Sequence, residues 1–320
     1  MSAPAAHALM AQRGFSLVEL MIAIVLGLLV TDGVVSMFVS VRSASRSTAG
    51  VASLSDNGRF ALNLLEQSVR SAGAMGCNST LRQVSNLNAG ASPIYTDYTE
   101  ALAGYEATNT GPTATVASLT TAPAADTSAG DWTTTAALGA QLDALLVGKA
   151  VKYSDVLVVH ETLPGFTPHY LTANAIGAAT LVVNSTTGFA SGQIGIVSDC
   201  TSSVVFQLGA PGGTTVPLGA GNASATLPVT YLAGAQVSVA NTTVYYVGVG
   251  SDGDGALFVT STNGTNTFSA PVEVVPDIEN MQILYGIDTT GLQAATQYVT
   301  ADQVVNSSLT NFNGVVSIKV

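Results

Sequence analysis

An α+β fold, in which one long N-terminal helix packs its second half against an antiparallel β-sheet, is predicted by three observations. No proline occurs from Phe15 to Cys77, and over that stretch the pattern is first continuously apolar and then amphipathic, as one helix passing through two environments requires. From Ser154 onward, short apolar runs favouring valine alternate with turns such as Gly212-Gly213, Asn222, Gly253 and Asn263-Gly264, which is the pattern of antiparallel strands, with room for a smaller second sheet. Between these parts, residues 77–153 form a long loop-rich region that includes the tract TNTGPTATVASLTTAPAADTSAGD, with a short helix expected over 136–147.

The helix divides at Arg42. Phe15 to Val30 is sixteen residues, about 24 Å of helix. That falls short of a bilayer core of roughly 30 Å, so Val34 to Val41 must extend the apolar half, 15–41. Between them Thr31-Asp32-Gly33 is a polar notch with a poor helix former at its end. An interruption is expected there, or a segment that melts when the helix leaves a bilayer. In the second half, 42–76, Leu54, Gly58, Ala61, Leu62, Leu65, Val69 and Ala72 recur at spacings of three and four, so one face must be covered. Arg59, Glu66 and Arg70 take other positions, with Glu66 and Arg70 at i, i+4. Gly73 or Gly76 should end the helix.

The N-terminal end carries the chemistry. Residues 1–14 contain Arg13 and His7 but no acid, consistent with a short cytoplasmic leader. A secretory signal is cut after its apolar segment; here the expected cut, between Gly14 and Phe15, precedes it and leaves the apolar helix on the product. Glu19 costs roughly 2.5 to 3.5 kcal/mol inside a bilayer and therefore calls for a partner. The new Phe15 amine lies about 6 Å away along the same helix, so the charges can pair within one chain or between stacked chains. The alternative is a plain signal anchor with Glu19 near the headgroups.

Gly14, Phe15, Ser16, Leu17 and Glu19 resemble the class III signal of type IV pilins and type II secretion pseudopilins. The resemblance implies cleavage by prepilin peptidase, N-methylation of Phe15, and a Glu19 that neutralises a neighbouring subunit's amine during assembly. Asn57-Gly58-Arg59-Phe60-Ala61-Leu62, then Arg70-Ser71-Ala72-Gly73 and Gly76-Cys77, are similar to the PilW group of minor pilins. Further similarity lies in patches at 154–159, 197–200, 205–206, 244–247, 274–288, 298–302 and 315–318, separated by Gly/Ser/Thr-rich tracts without resemblance. The family often has Trp near Phe312 and continues past the strand that ends here at Val320. A type IV pilin-like fold is implied, with a β-rich body over 154–320.

Exported by such a route, Cys77 and Cys200, the two cysteines of the chain, meet an oxidising compartment where thiols tend to pair. Closing that loop would contribute roughly 4 to 5 kcal/mol in the chain-entropy model; two separately buried thiols are the alternative.

Composition and motifs exclude several classes. The net charge is −11, and only Lys149, Lys152 and Lys319 follow Arg82 among the basic residues, so the body has no basic stripe to track phosphates and nucleic acid is not an expected partner. Gly248-Val249-Gly250-Ser251-Asp252-Gly253 spells G-x-G-x-x-G, but a strand rather than a helix follows, which reads as a hairpin loop. Asp252 and Asp254 are calcium candidates, although no glutamate closes the loop at EF-hand spacing and a solvated acidic turn explains them as well. His160, Glu161 and His169 lack a zinc pattern and are expected on a loop near Pro164 and Pro168. With no G-x-S-x-G elbow there is no nucleophile candidate, so neither an enzyme nor a cofactor is expected.

The resemblance therefore implies a minor pilin that primes or caps a type IV pilus serving motility, adhesion or DNA uptake. Its expected partners are prepilin peptidase, other minor pilins and the major pilin. It would wait in the bacterial inner membrane with its body in the periplasm before reaching the cell surface. The alternatives are a type II secretion pseudopilin of the J kind, and a helix-anchored binder of sugar or host protein, for which an exposed aromatic platform would be needed and Trp132 is the only tryptophan.

Overall fold

The computed structural model describes residues 16–76, 83–88, 98, 100–108, 110, 132–133, 145–265, 267–306 and 312–320. The chain divides into two units, residues 1–56 and 57–320.

In the first unit the described residues form the N-terminal part of helix α1 (Leu17–Ser71), and every side chain from 17 to 56 is exposed. The helix runs through Thr31-Asp32-Gly33 without a break, which corrects the expected interruption. Thr31 turns its hydroxyl back onto the Gly27 carbonyl at 2.7 Å, so the notch's first polar group is satisfied by the helix itself. A single glycine costs a helix only about 1 kcal/mol. Where charge returns, Arg42 lays its guanidinium 4.7 Å from the Phe38 ring centroid, a cation–π contact.

The second unit is built on a ten-stranded sheet. Its strands are β1 (Gln83–Ser85), β2 (Leu102–Ala107), β3 (Trp132–Thr133), β4 (Val156–Thr162), β5 (His169–Tyr170), β7 (Ile194–Ser198), β8 (Ser203–Gln207), β10 (Gln236–Val249), β11 (Gly255–Ser261) and β12 (Val272–Pro276). Strands β6 (Thr180–Val182) and β9 (Thr215–Pro217) pair separately, and β13 (Leu284–Ile287) stands between β14 (Gln297–Val299) and β15 (Val315–Lys319). A short helix α2 (Ala301–Asn306) follows β14.

The spine is β10. Its first residues pair with β7 and β5, and from Ala240 onward it pairs with β4 and β11. All but its end residues are buried, as are the first six residues of β4; the apolar runs Val156–Val159 and Val244–Val247 fit strands covered on two faces. One core, including Tyr246, Leu157 and Tyr285, lies around the later part of β10; a second, including Phe206, Val237 and Tyr231, lies around its start.

Two expectations change. The large sheet is mixed rather than antiparallel, since β1 runs parallel to β8. Strands β1, β2 and β3 lie in the stretch read as loop, and β2 is wholly buried between β4 and β3. The expected helix over 136–147 falls largely outside the described residues, where Leu145 and Leu146 begin a short turn.

Candidate functional site

The N-terminal end of α1 holds Glu19 in its first turn, the turn that Leu20 N–H closes by donating to Ser16 O at 3.1 Å. Gly14 and Phe15 lie outside the described residues. From Leu17 to Val41 the large apolar side chains are exposed, Leu17 by 74%, and α1 is long and apolar enough to cross a membrane by length and composition. Such a surface needs lipid or other helices around it. The acidic side chains on it, Glu19 at its beginning and Asp32 further along, are then the places where charge must be neutralised.

The other end of α1 is locked to the sheet. Ala61, Leu65 and Ser68 are buried and Leu64, Val69 and Ala72 partly so, the i, i+4, i+7 set of one helical face. Leu54 and Leu62 are instead exposed, by 55% and 50%, so the covered stripe is narrower than the sequence pattern implied. Ser68 shares a short hydrogen bond with Tyr245 on β10. Ser71 donates to Glu161 Oε2 at 2.5 Å, and Thr243 donates to Glu161 Oε1 at 3.1 Å, so one buried carboxylate joins the helix end to two strands. Gly73 ends the helix with φ of +70°, the left-handed position that glycine accepts without strain. Its N–H donates to His160 O at 2.8 Å. On the exposed side Arg70 and Glu66 form the expected i, i+4 pair, a contact of little energetic weight at such exposure.

His160 and Glu161 thus lie on β4 and His169 on β5, not on a loop. The histidines are structural: His160 Nδ1 meets Glu100 O at 2.8 Å with its ring against Tyr98, and His169 Nε2 meets Thr187 O at 2.8 Å among Phe166 and Phe189. Trp132 is buried and donates its indole N–H to Ser154 O at 3.0 Å. It belongs to the core, not to an exposed platform.

The G-x-G-x-x-G stretch is the hairpin between β10 and β11, with Gly250 N–H on Asp254 O at 2.7 Å and Gly253 at φ of +92°. Asp252 and Asp254 are exposed there, and Asp277 joins them, with ligand atoms from the three within 4.8 Å of one another. Sequence reasoning named two of the three. Asp277 comes from the end of β12, which pairs with β11, and only that pairing brings it near. Asn57 donates to Asp277 Oδ2 at 3.0 Å, and Ser251 N–H is held by Glu273 Oε2 at 2.9 Å. These bonds tie the hairpin to the residues around β12.

Cys200 sits in the turn after β7, where the Asp199 carboxylate accepts from the N–H groups of Thr201 and Ser202 at 2.8 Å each. Cys77 lies outside the described residues. Its neighbour Gly76 is against the end of β7: a Cβ there would lie 1.9 Å from Ser198 Oγ. Only glycine, at φ of +100°, lets the chain pass so close.

Comparison with known families gives two matches. The model described as PilW, Type IV Pilus-assembly protein W, matches residues 244–320, and the prokaryotic N-terminal methylation motif matches residues 9–31. The first spans β10 from Val244 through β15; the second spans the residues just before α1 and the start of α1. No curated protein and no solved structure matches.

Proposed function

We propose, from the premise that this chain is a PilW-type pilin with a prepilin signal, that it is a minor pilin acting in the priming or tip complex of a type IV pilus. PilW-type pilins are structural components of the pilus, and the reading assigns this chain no catalysis. The observation that carries it is the exposed apolar stretch from Leu17 to Val41, headed by Glu19 and continuous in one helix with a segment packed on the sheet.

In this reading prepilin peptidase cuts between Gly14 and Phe15, Phe15 is N-methylated, and the subunit waits in the inner membrane with its body in the periplasm. Glu19 then neutralises the Phe15 amine of a neighbour as subunits stack, because an unpaired carboxylate among apolar helices is costly. Other minor pilins and the major pilin are the partners. Motility, adhesion or DNA uptake are the behaviours served. The match over 244–320 favours the pilus over a secretion pseudopilus.

A disulfide between Cys77 and Cys200 fastens the chain just after α1 to the end of β7. Its support is the approach of Gly76 to Ser198 and the absence of a free thiol at Cys200.

The test is Glu19→Ala in the native host. Processing should stay largely intact while incorporation into sheared pili falls; normal incorporation would remove the role given to Glu19.

A further inference from the structure

The C-terminal module, β13 to β15 with α2, meets the main sheet at a buried group of acids. Asp155, 2% exposed, precedes β4 and accepts from Ala107 N–H of β2 at 2.9 Å and from Ile283 N–H, at the entry to β13, at 2.8 Å. Glu106 on β2, 6% exposed, accepts from Ala301 N–H, the first residue of α2. Two carboxyl groups therefore bridge β2 to both ends of the module's first half. Around them are the buried hydroxyls of Tyr105 and Tyr285 and, on α2, the carboxylate of Asp302.

Proton counting limits how these groups can be charged. Thr110 Oγ1 lies 2.6 Å from Ala107 O and 3.2 Å from Glu106 Oε1, and it also contacts the Asp155 carboxylate. Three acceptors face one hydroxyl, which has a single proton to give. With the short contact to Ala107 O taking that proton, the contact to Glu106 is a hydrogen bond only if Glu106 supplies its own. Asp155 is already held by two N–H donors, an arrangement that suits the charged form.

We propose that Glu106 is held in this seam as its neutral acid and makes the seam a pH-sensitive clasp, so that raising the pH releases the C-terminal module from the sheet while β10 stays folded. When the Glu106 O–H loses its proton to hydroxide, its hydrogen bond to Thr110 within the β2 segment is lost, and a new negative charge faces Asp155 and, across the seam on α2, Asp302 in a buried site. The same conclusion follows from the environment: burial first, then the charge of Asp155, pushes Glu106 up to about 8.

The experiment is amide hydrogen exchange on the full chain in detergent micelles at pH 6, 8 and 9, corrected for the intrinsic pH dependence of exchange. Protection of 284–287 and 301–304 should fall by about 50-fold from pH 6 to pH 8 and by less than about twofold more from pH 8 to pH 9, as linkage to one proton released near 8 requires, while 237–247 keep theirs. Glu106→Gln, which keeps a donor without a titrating group, should hold the module equally at all three values. Protection independent of pH in the wild type, or the same loss in Glu106→Gln, would overturn the clasp. If the variant does not fold, carbon-13 NMR of the wild-type carboxyl groups decides: Glu106 titrating near 8 supports it, and titration in the ordinary range near 4.5 ends it.

Discussion

Gly104→Ala is a small substitution whose effect the structure fixes in sign. Gly104 lies on β2 beneath Tyr285, and a Cβ there would be 2.0 Å from the Tyr285 hydroxyl oxygen, 2.3 Å from Cζ and 2.8 Å from Cε2. The ring has no room to withdraw. It is 1% exposed and packs edge-on against Phe312 at 5.2 Å between centroids and 80° between planes. Alanine would gain about 0.5 to 1 kcal/mol over glycine in an open strand. Overpacking a filled core costs about 1 to 3 kcal/mol, and a clash at this distance belongs at the upper end. A net loss of about 2 kcal/mol follows. Gly58→Ala is the control, because nothing lies within 4 Å of a Cβ at that helical position and a gain approaching 1 kcal/mol is expected. Urea unfolding of the full chain in detergent, followed by near-ultraviolet circular dichroism of its buried tyrosines, measures both. A Gly104→Ala variant as stable as the wild type would refute the packing of β13 on β2.

Leu65→Ala should cost about 2 to 5 kcal/mol, since Leu65 is 3% exposed beneath the sheet, whereas Leu62→Ala, half exposed, should cost well under half as much; equal losses would contradict the orientation of α1. Cys77→Ser should lower stability by about 2 to 5 kcal/mol under oxidising conditions, and no change under those conditions would remove the proposed bridge. Thermal stability should fall as pH rises from the ordinary carboxyl range to about 8. Burial raises Glu106 from 4.5 to about 8 and Asp155 from 3.8 to about 6, so in that window the folded chain binds more protons than the unfolded one. On the acid side Asp288 works oppositely: N–H donors of Thr290, Gln293 and Gly291 hold its carboxyl below the usual range, and its contribution is lost as pH falls through that lowered value. A midpoint that climbs steadily from pH 5 to pH 8 would contradict these assignments.

The features legible in the sequence were local ones. Gly73 after an amphipathic run marked the end of α1, and the glycines from 248 to 253 marked a hairpin, because positive φ and turn chemistry depend on neighbouring residues alone. Leu102–Ala107 escaped notice for the opposite reason. It reads LAGYEA, with a glycine, an acid and no β-branched residue, and becomes a strand only because β4, some fifty residues later, pairs with it. His160 and Glu161 resembled loop residues until the pairing of β4 with β10 buried them, where Ser71 and Thr243 satisfy the carboxylate. The third aspartate at the hairpin and the acids around Glu106 are likewise products of long-range pairing. The notch at Thr31 misled because composition does not reveal that a threonine hydroxyl can bond its own helix.

The central claim, that this is a processed pilus subunit, is tested most directly by mass spectrometry of the intact chain and its N-terminal peptide from sheared filaments and from membranes of the native host. The account predicts a filament fraction beginning at methylated Phe15, about two daltons light from a Cys77 to Cys200 bridge. A chain that still begins at Met1 and occurs only in membranes would contradict it.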